Sequence, residues 1–162
     1  MQKISKSAKG IPDREKYRRP PEQTEPSNWL ANLQYHEAEK AGPHYDLRLN
    51  PPGTEDALSW AMREKPRNPG DKVLAKEQPV HTRQYMGFSG TIPEGYGKGK
   101  VKSLGQENVE VIESKPDSIY FNRYKGKDTR RYMLKDTGNK NWLLFDHTPT
   151  EQTKQFQDVP SS

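Results

Sequence analysis

A chain of 162 residues fits one domain with loose ends and has room for a single core, which excludes two large domains. Hydrophobic residues make up 29% against 30% charged, so mobile segments are expected beside a modest core, and the absence of cysteine excludes disulfide frameworks, Cys-ligated zinc, iron–sulfur clusters and thiol nucleophiles. The formal charge of +5 points to polyanions as candidate partners, and no apolar run approaches a signal-peptide core or a membrane span, so the expectation is a soluble, cytoplasmic protein.

Residues 1–26 carry seven Lys or Arg against four Asp or Glu, a local excess of +3. They mix Lys, Arg, Glu and Pro without periodicity and are expected to form a basic, flexible arm that orders only against something. Residues 27–148 are the expected domain. Turn signals recur there at GP (42–43), PPG (51–53), NPGD (68–71), PEGYGKGK (93–100), KPD (115–117) and TGNKN (137–141). Between them the pattern predicts short strands at NLQYHE, HYDLRLN, ALSWAM, KVLAKE, YMGFSG, KVKSL, NVEVIE, SIYFNRY, RRYMLK and NWLLFDH. That spacing suits a small sandwich or barrel. No stretch holds the period of an amphipathic helix, so at most a short helical turn is expected, in EAEKAG or near the arm. Trp29, Trp60 and Trp142 sit among apolar residues and are expected in the core, and PEGYGKGK, lacking the Walker pattern, is expected as a tight strand-to-strand turn. Residues 149–162 are expected to form a second flexible tail.

The most informative stretch is HYDLRLN. As a strand it sends Tyr45, Leu47 and Leu49 to one face and His44, Asp46 and Arg48 to the other. In NLQYHE the same alternation puts Gln34 and His36 together, so His36 can meet His44 and Asp46 if the two strands pair across residues 37–43. Two imidazoles and one carboxylate suit manganese, iron or zinc and leave coordination positions open for catalysis. Arg48 beside them is suited to grip a phosphate bidentately. His81, followed four residues on by Tyr85, is a candidate donor or proton carrier for the same pocket, whereas His147 reads as structural. Tyr120, Tyr124 and Tyr132, interleaved with Arg123, Lys125, Arg130 and Arg131, fit either nucleic-acid contact or a half-exposed strand face.

In order, QYH, HYDLRL, SWAM, NPGDKVLA, HTRQY, GFSGTIPEGYGKG and NWLLFDH resemble the 3′-phosphoesterase module of bacterial DNA ligase D and its stand-alone relatives, over roughly residues 24–147. The resemblance implies a mainly β fold, a small closed or nearly closed β-barrel with few short helices. It implies a manganese-dependent enzyme, other divalent transition metals being alternatives, that heals DNA 3′ ends by removing a terminal ribonucleoside and then the 3′-phosphate. His36, His44 and Asp46 correspond to the metal ligands, Arg48 and His81 to phosphate-contacting catalytic residues, Tyr85 to the pocket tyrosine, and Gln34 to a neighbour of the metal. Arg18 and Glu25 match an arginine and a glutamate near the family's active site. The implied partners are DNA 3′ ends, primer–template or duplex with an RNA-containing terminus, and a separate DNA ligase, with no membrane and a monomeric chain.

The sequence also departs from the family. Seven residues separate His36 from His44 where five are usual, so the connection is expected to bulge. Pro79-Val80 replace a common acidic pair, Val73 a common basic residue and Arg19 an aspartate. These departures bear on nucleoside removal more than on phosphate hydrolysis. Two rival readings are a DNA-end-binding module of the same fold without turnover, and a non-haem iron oxygenase built on two histidines and a carboxylate.

Overall fold

The computed structural model describes residues 16–95 and 97–150. Within them the chain runs β1 (Ser27–Ala38), β2 (Gly42–Asn50), β3 (Asp56–Met62), β4 (Lys72–Thr82), a 3-10 turn at Arg83–Tyr85, β5 (Gly90–Ile92), β6 (Gly99–Lys115), β7 (Ser118–Lys125), β8 (Asp128–Gly138) and β9 (Asn141–Asp146). Each strand pairs antiparallel with its neighbours in the order β1-β2-β3-β4-β9-β8-β7-β6, and β6 returns to β1, closing an eight-stranded barrel with β5 outside on the edge of β6. Closure removes the open edges that a sheet of this size would otherwise expose.

Alternation assigns the inner face. Trp29 and Ala31 of β1, Leu49 of β2, Leu58, Trp60 and Met62 of β3, and Val73 and Ala75 of β4 meet the inward residues of β6 to β9 in one apolar cluster. The three tryptophans are at most 1% exposed, as expected of core residues, and Trp60 meets Trp142 edge-on at 5.4 Å between centroids. Two of the indoles find acceptors that offset burial of a polar N–H: Trp142 donates to Glu77 Oε1 at 3.0 Å and Trp29 to Gln23 Oε1 at 2.9 Å.

The register differs from expectation in three places. KVKSL and NVEVIE are one strand, β6, because Gly105, Gln106 and Glu107 continue the pairing with Leu33, Asn32 and Ala31. The ladder slips between Leu33 and Gln34, leaving Leu104 as an extra residue, and Gly105 (φ +150°) supplies the backbone geometry that this bulge requires. YMGFSG is not a strand: Tyr85 closes the 3-10 turn and pairing resumes only at Gly90. EAEKAG holds no helical turn, since β1 extends to Ala38 and pairs with Gly42 across a turn at 39–41.

Residues 16–26 lie against the barrel wall. Gln23 exchanges backbone hydrogen bonds with Ser114 at 2.8 and 2.9 Å, and Arg19 Nη1 donates to Asp136 Oδ2 at 2.7 Å. Residues 1–15 of the expected arm and 151–162 of the expected tail lie outside the described residues.

Candidate metal centre

The outer face of the β1–β2 wall carries a second, polar core. His36 stands directly opposite His44 in the ladder, Gln34 opposite Asp46 and Asn32 opposite Arg48, without the bulge expected in this hairpin. On an ordinary barrel these side chains would face water. Here the chain leaving β4 folds back over them, Phe88 taking a bond from Gln34 and Gly97 one from His36, and His36, Asp46, Arg48, Gln34 and Ser59 are all buried.

His36 and His44 are oriented from behind. The Nε2 of His36 lies 2.7 Å from the carbonyl of Gly97, and the Nδ1 of His44 lies 2.9 Å from the carbonyl of Gly42. A carbonyl only accepts, so each of those nitrogens carries the proton and the opposite nitrogen turns toward Asp46. His36 Nδ1 is 3.4 Å from Asp46 Oδ2 and His44 Nε2 is 3.3 Å from Oδ1. The three donor atoms lie within 4.8 Å of one another. Facing lone pairs of this kind repel unless a cation, proton or metal, lies between them.

Electrostatics follow from that crowding. Burial pushes the Asp46 carboxyl up, but the Arg48 charge and the bonds that His36 and His44 make to it whenever a proton lies between them outweigh it and hold the group well below the usual carboxylate range. Its bond to Asp46 raises His44 despite burial. Because the neutral donors are two nitrogens and the charged one a hard oxygen, the set fits a divalent transition ion.

Arg48 is fixed by three partners. Its Nε donates to Gln34 Oε1 at 3.0 Å, and its Nη1 donates to Ser59 Oγ at 2.5 Å and to His81 Nδ1 at 3.0 Å. Three of the five N–H groups are thereby spent on the scaffold, leaving the pair on Nη2, which sits 3.9 Å from Asp46 Oδ2 on the side of the triad. A guanidinium has only donors, so His81 accepts through Nδ1 and keeps its proton on Nε2. Burial and the Arg48 charge push His81 down to about 3, which makes it a neutral donor at ordinary pH. Tyr85 lies 5.3 Å from the His81 ring and 5.2 Å from the Arg48 guanidinium, and stacks on Phe88 at 5.1 Å.

His81 reaches this face through a bulge. Ser59 pairs with Gln78, but Ala57 pairs with His81, so β4 carries one residue more than β3 across this interval. Pro79 cannot donate to the ladder, and Val80 packs against the core. Without the extra residue, His81 would point into the barrel.

The structure therefore gathers His36, His44, Asp46, Arg48, His81, Tyr85 and Gln34. Gln34 is fully buried, its amide donating to Phe88 O at 3.0 Å, so it holds Arg48 and the covering segment and has no surface for substrate. Arg18 lies 3.4 Å from Asp56, which pairs with Thr82 beside His81. Glu25 is not gathered: it precedes Ser27, nine residues along β1 from His36, or about 30 Å of strand, and its carbonyl accepts from the Gln23 amide. Two contributors escape sequence reading. Ser59 is one. The other is the PEGYGKGK turn, which joins β5 to β6 as expected but also supplies the Gly97 carbonyl to His36. A Cβ at Gly99 would strike the Glu37 carbonyl, so the glycine there has a spatial reason. His147 lies outside the site, beside the rings of Tyr120 and Phe145.

The family profile described as the DNA ligase D 3′-phosphoesterase domain matches residues 34–142. The chain belongs to that family. It is 33% identical over 124 residues to the multifunctional non-homologous end joining protein LigD of Mycolicibacterium smegmatis, an alignment covering 68% of this chain and 16% of that protein. It is 41% identical over 71 residues to the protein of the same description from Pseudomonas aeruginosa, covering 43% of this chain and 8% of the relative. The chain thus spans a sixth or less of the length of these relatives. The family match takes in all three donors of the triad, Arg48, His81 and Tyr85.

Proposed function

We propose that this chain is a manganese-dependent phosphoesterase that removes the 3′-phosphate from DNA ends and so prepares them for joining. The observation that carries the reading is the coincidence, on one covered face, of a three-donor cluster with an arginine whose Nη2, the nitrogen left without a scaffold partner, lies 3.9 Å from the Asp46 carboxylate. His36 through Nδ1, His44 through Nε2 and Asp46 would hold the metal, which when bound polarises a phosphoryl oxygen as a Lewis acid. Arg48, immobilised by Gln34, Ser59 and His81, offers the fork of Nη2 to a second phosphoryl oxygen and opposes charge that builds there in the transition state. His81, held neutral by burial and the Arg48 charge, accepts from Arg48 and so helps to hold the guanidinium against the site. Tyr85 walls the site beside both groups, and burial raises its pKa, so that it stays protonated. The oxygenase alternative is disfavoured because the cation nearest the triad neighbours the carboxylate ligand itself.

A primer–template bearing a 3′-phosphate, incubated with manganese-loaded protein, is expected to release inorganic phosphate, and His44→Ala to lower the rate by about 100-fold or more. Absence of phosphate release from the metal-loaded parent, or equal release by His44→Ala, refutes the reading.

A further inference from the structure

Behind the β1–β2 wall, on the side away from the metal centre, a cavity of about 500 Å³ opens at the mouth of the barrel. Its floor is apolar, formed by Leu47, Met62, Phe121 and Leu144, and its rim is cationic, with Lys65, Arg67, Arg123 and Lys125. Glu107 is the one carboxylate in the lining and is engaged by Arg123. Among the described residues no carboxylate lies within ion-pair distance of Lys65, Arg67 or Lys125. Lys65 instead sits 5.1 Å over the ring of Tyr45, which meets Tyr35 at 5.2 Å.

These tyrosines have a defined place. Tyr35 pairs with Tyr45 one step along the ladder from the His36–His44 pair, and alternation turns them to the opposite side of the same hairpin. The metal centre and this tyrosine pair are thus at one level of the barrel, on opposite faces of the same hairpin, and Leu33 and Leu47, the next inward residues along each strand, line the cavity. An apolar floor that includes the rings of Phe121 and Tyr132, with cations on the rim, matches a nucleotide unit, the base meeting the former and the phosphate the latter. A purely apolar ligand would leave the cations without purpose, and an inorganic anion the floor.

We propose that the barrel mouth is a second nucleic-acid subsite, holding unpaired nucleotides of the strand that overhangs the 3′ end bound at the metal centre. The inference rests on the reading of the chain as a phosphoesterase of DNA 3′ ends. Two duplexes with the same 3′-phosphate, one blunt and one with a 5′ oligothymidylate overhang, test it by fluorescence anisotropy on the full chain in EDTA. The parent is expected to bind the overhang duplex about ten-fold more tightly. In R67E/K125E that preference is expected to vanish and the log–log salt slope for the overhang duplex to fall by roughly 1.4, the value for two lost single-strand phosphate contacts. K115E/K135E carries the same charge change at the far end of β6 and β8 and is expected to keep the preference.

Equal binding of the two duplexes by the parent overturns the proposal. So does a preference that survives R67E/K125E or is lost as completely in K115E/K135E, and so does displacement of the overhang duplex by an equimolar amount of thymidine monophosphate, which would make the cavity a mononucleotide site. Phosphate release from the blunt duplex under manganese keeps the two readings apart. R67E/K125E is expected to match the parent there, and a parent without turnover would fail the phosphoesterase reading, not the subsite alone.

Discussion

The two faces of the β1–β2–β3 wall differ in almost everything except their backbone. Inward, Trp29, Leu49, Leu58 and Trp60 form a core that any apolar set of similar volume could approximate. Outward, Gln34, His36, Asp46, Arg48 and Ser59 form a core of equal burial in which nearly every polar atom has an assigned partner. The contrast teaches that burial alone does not separate framework from site. On the inner face burial stabilises by removing apolar surface from water. On the outer face it costs desolvation and yields fixed charges in a medium of low dielectric, where they act strongly on a reacting phosphate.

Adjacent residues give the sharpest way to break this comparison, because Trp60 and Ser59 point to opposite faces. Trp60→Ala should lose about 4 kcal/mol of unfolding free energy in urea titrations, while the fraction that stays folded keeps its turnover number. A variant of near-parental stability would mean that the inner face is not the main source of stability. Ser59→Ala should do the reverse. It leaves stability within about 1 kcal/mol but frees one of the bonds holding Arg48, so phosphate release should fall about ten-fold, mostly in kcat, and Ser59→Thr, which restores a hydroxyl, should recover part of it. Unchanged kinetics in Ser59→Ala would show that Gln34 and His81 suffice.

The smallest expected effect concerns acid. His81 stays neutral in the fold down to about pH 3, whereas in the unfolded chain it charges near 6.5. Its contribution to stability is therefore present above pH 6.5 and lost as pH falls toward 3. His81→Gln keeps an acceptor for Arg48 and removes the titration. In EDTA, the parent should lose about 1 kcal/mol more than this variant between pH 7 and 5, short of the full linkage value because the edge of the imidazole meets solvent. His44, raised by Asp46, works in the opposite direction and is common to both proteins, so it cancels in the difference. Equal acid sensitivity of the two would place a charged imidazole at position 81.

Much of the site was legible in the sequence because it is built on period-two alternation. HYDLRLN and NLQYHE state which side chains share a face, and a local hairpin does the rest. What escaped depends on breaks in that period. His81 is odd in a strand whose other odd positions face inward, and only the extra residue at Pro79-Val80 turns it around. Pro79-Val80, which read as a loss of acidic side chains, proves to be the device that aims the histidine. Gly105 hid the continuity of β6 because a glycine beside two polar residues looks like a turn when its partner strand is unknown. Ser59 and Gln34 could be placed on a face but not at Arg48, since the pairing of β2 with β3 is a tertiary fact. Glu25 could not be placed because nothing local reveals that it lies just before β1, whose first residue Ser27 is nine residues ahead of His36.

The regular β1–β2 hairpin has a further consequence. Opposed positions near its tip are separated by odd counts of residues, seven between His36 and His44 and three between Ala38 and Gly42, so the hairpin can grow or shrink by whole rungs, two residues at a time, with His36 and His44 still facing each other. A single residue inserted or deleted within either strand, rather than in the turn at 39–41, would slide that strand by half a repeat and exchange Tyr45 for an imidazole beneath the cover. The turn itself can therefore vary in length, whereas the strands that lead into it can change only in steps that keep the imidazoles on the covered face.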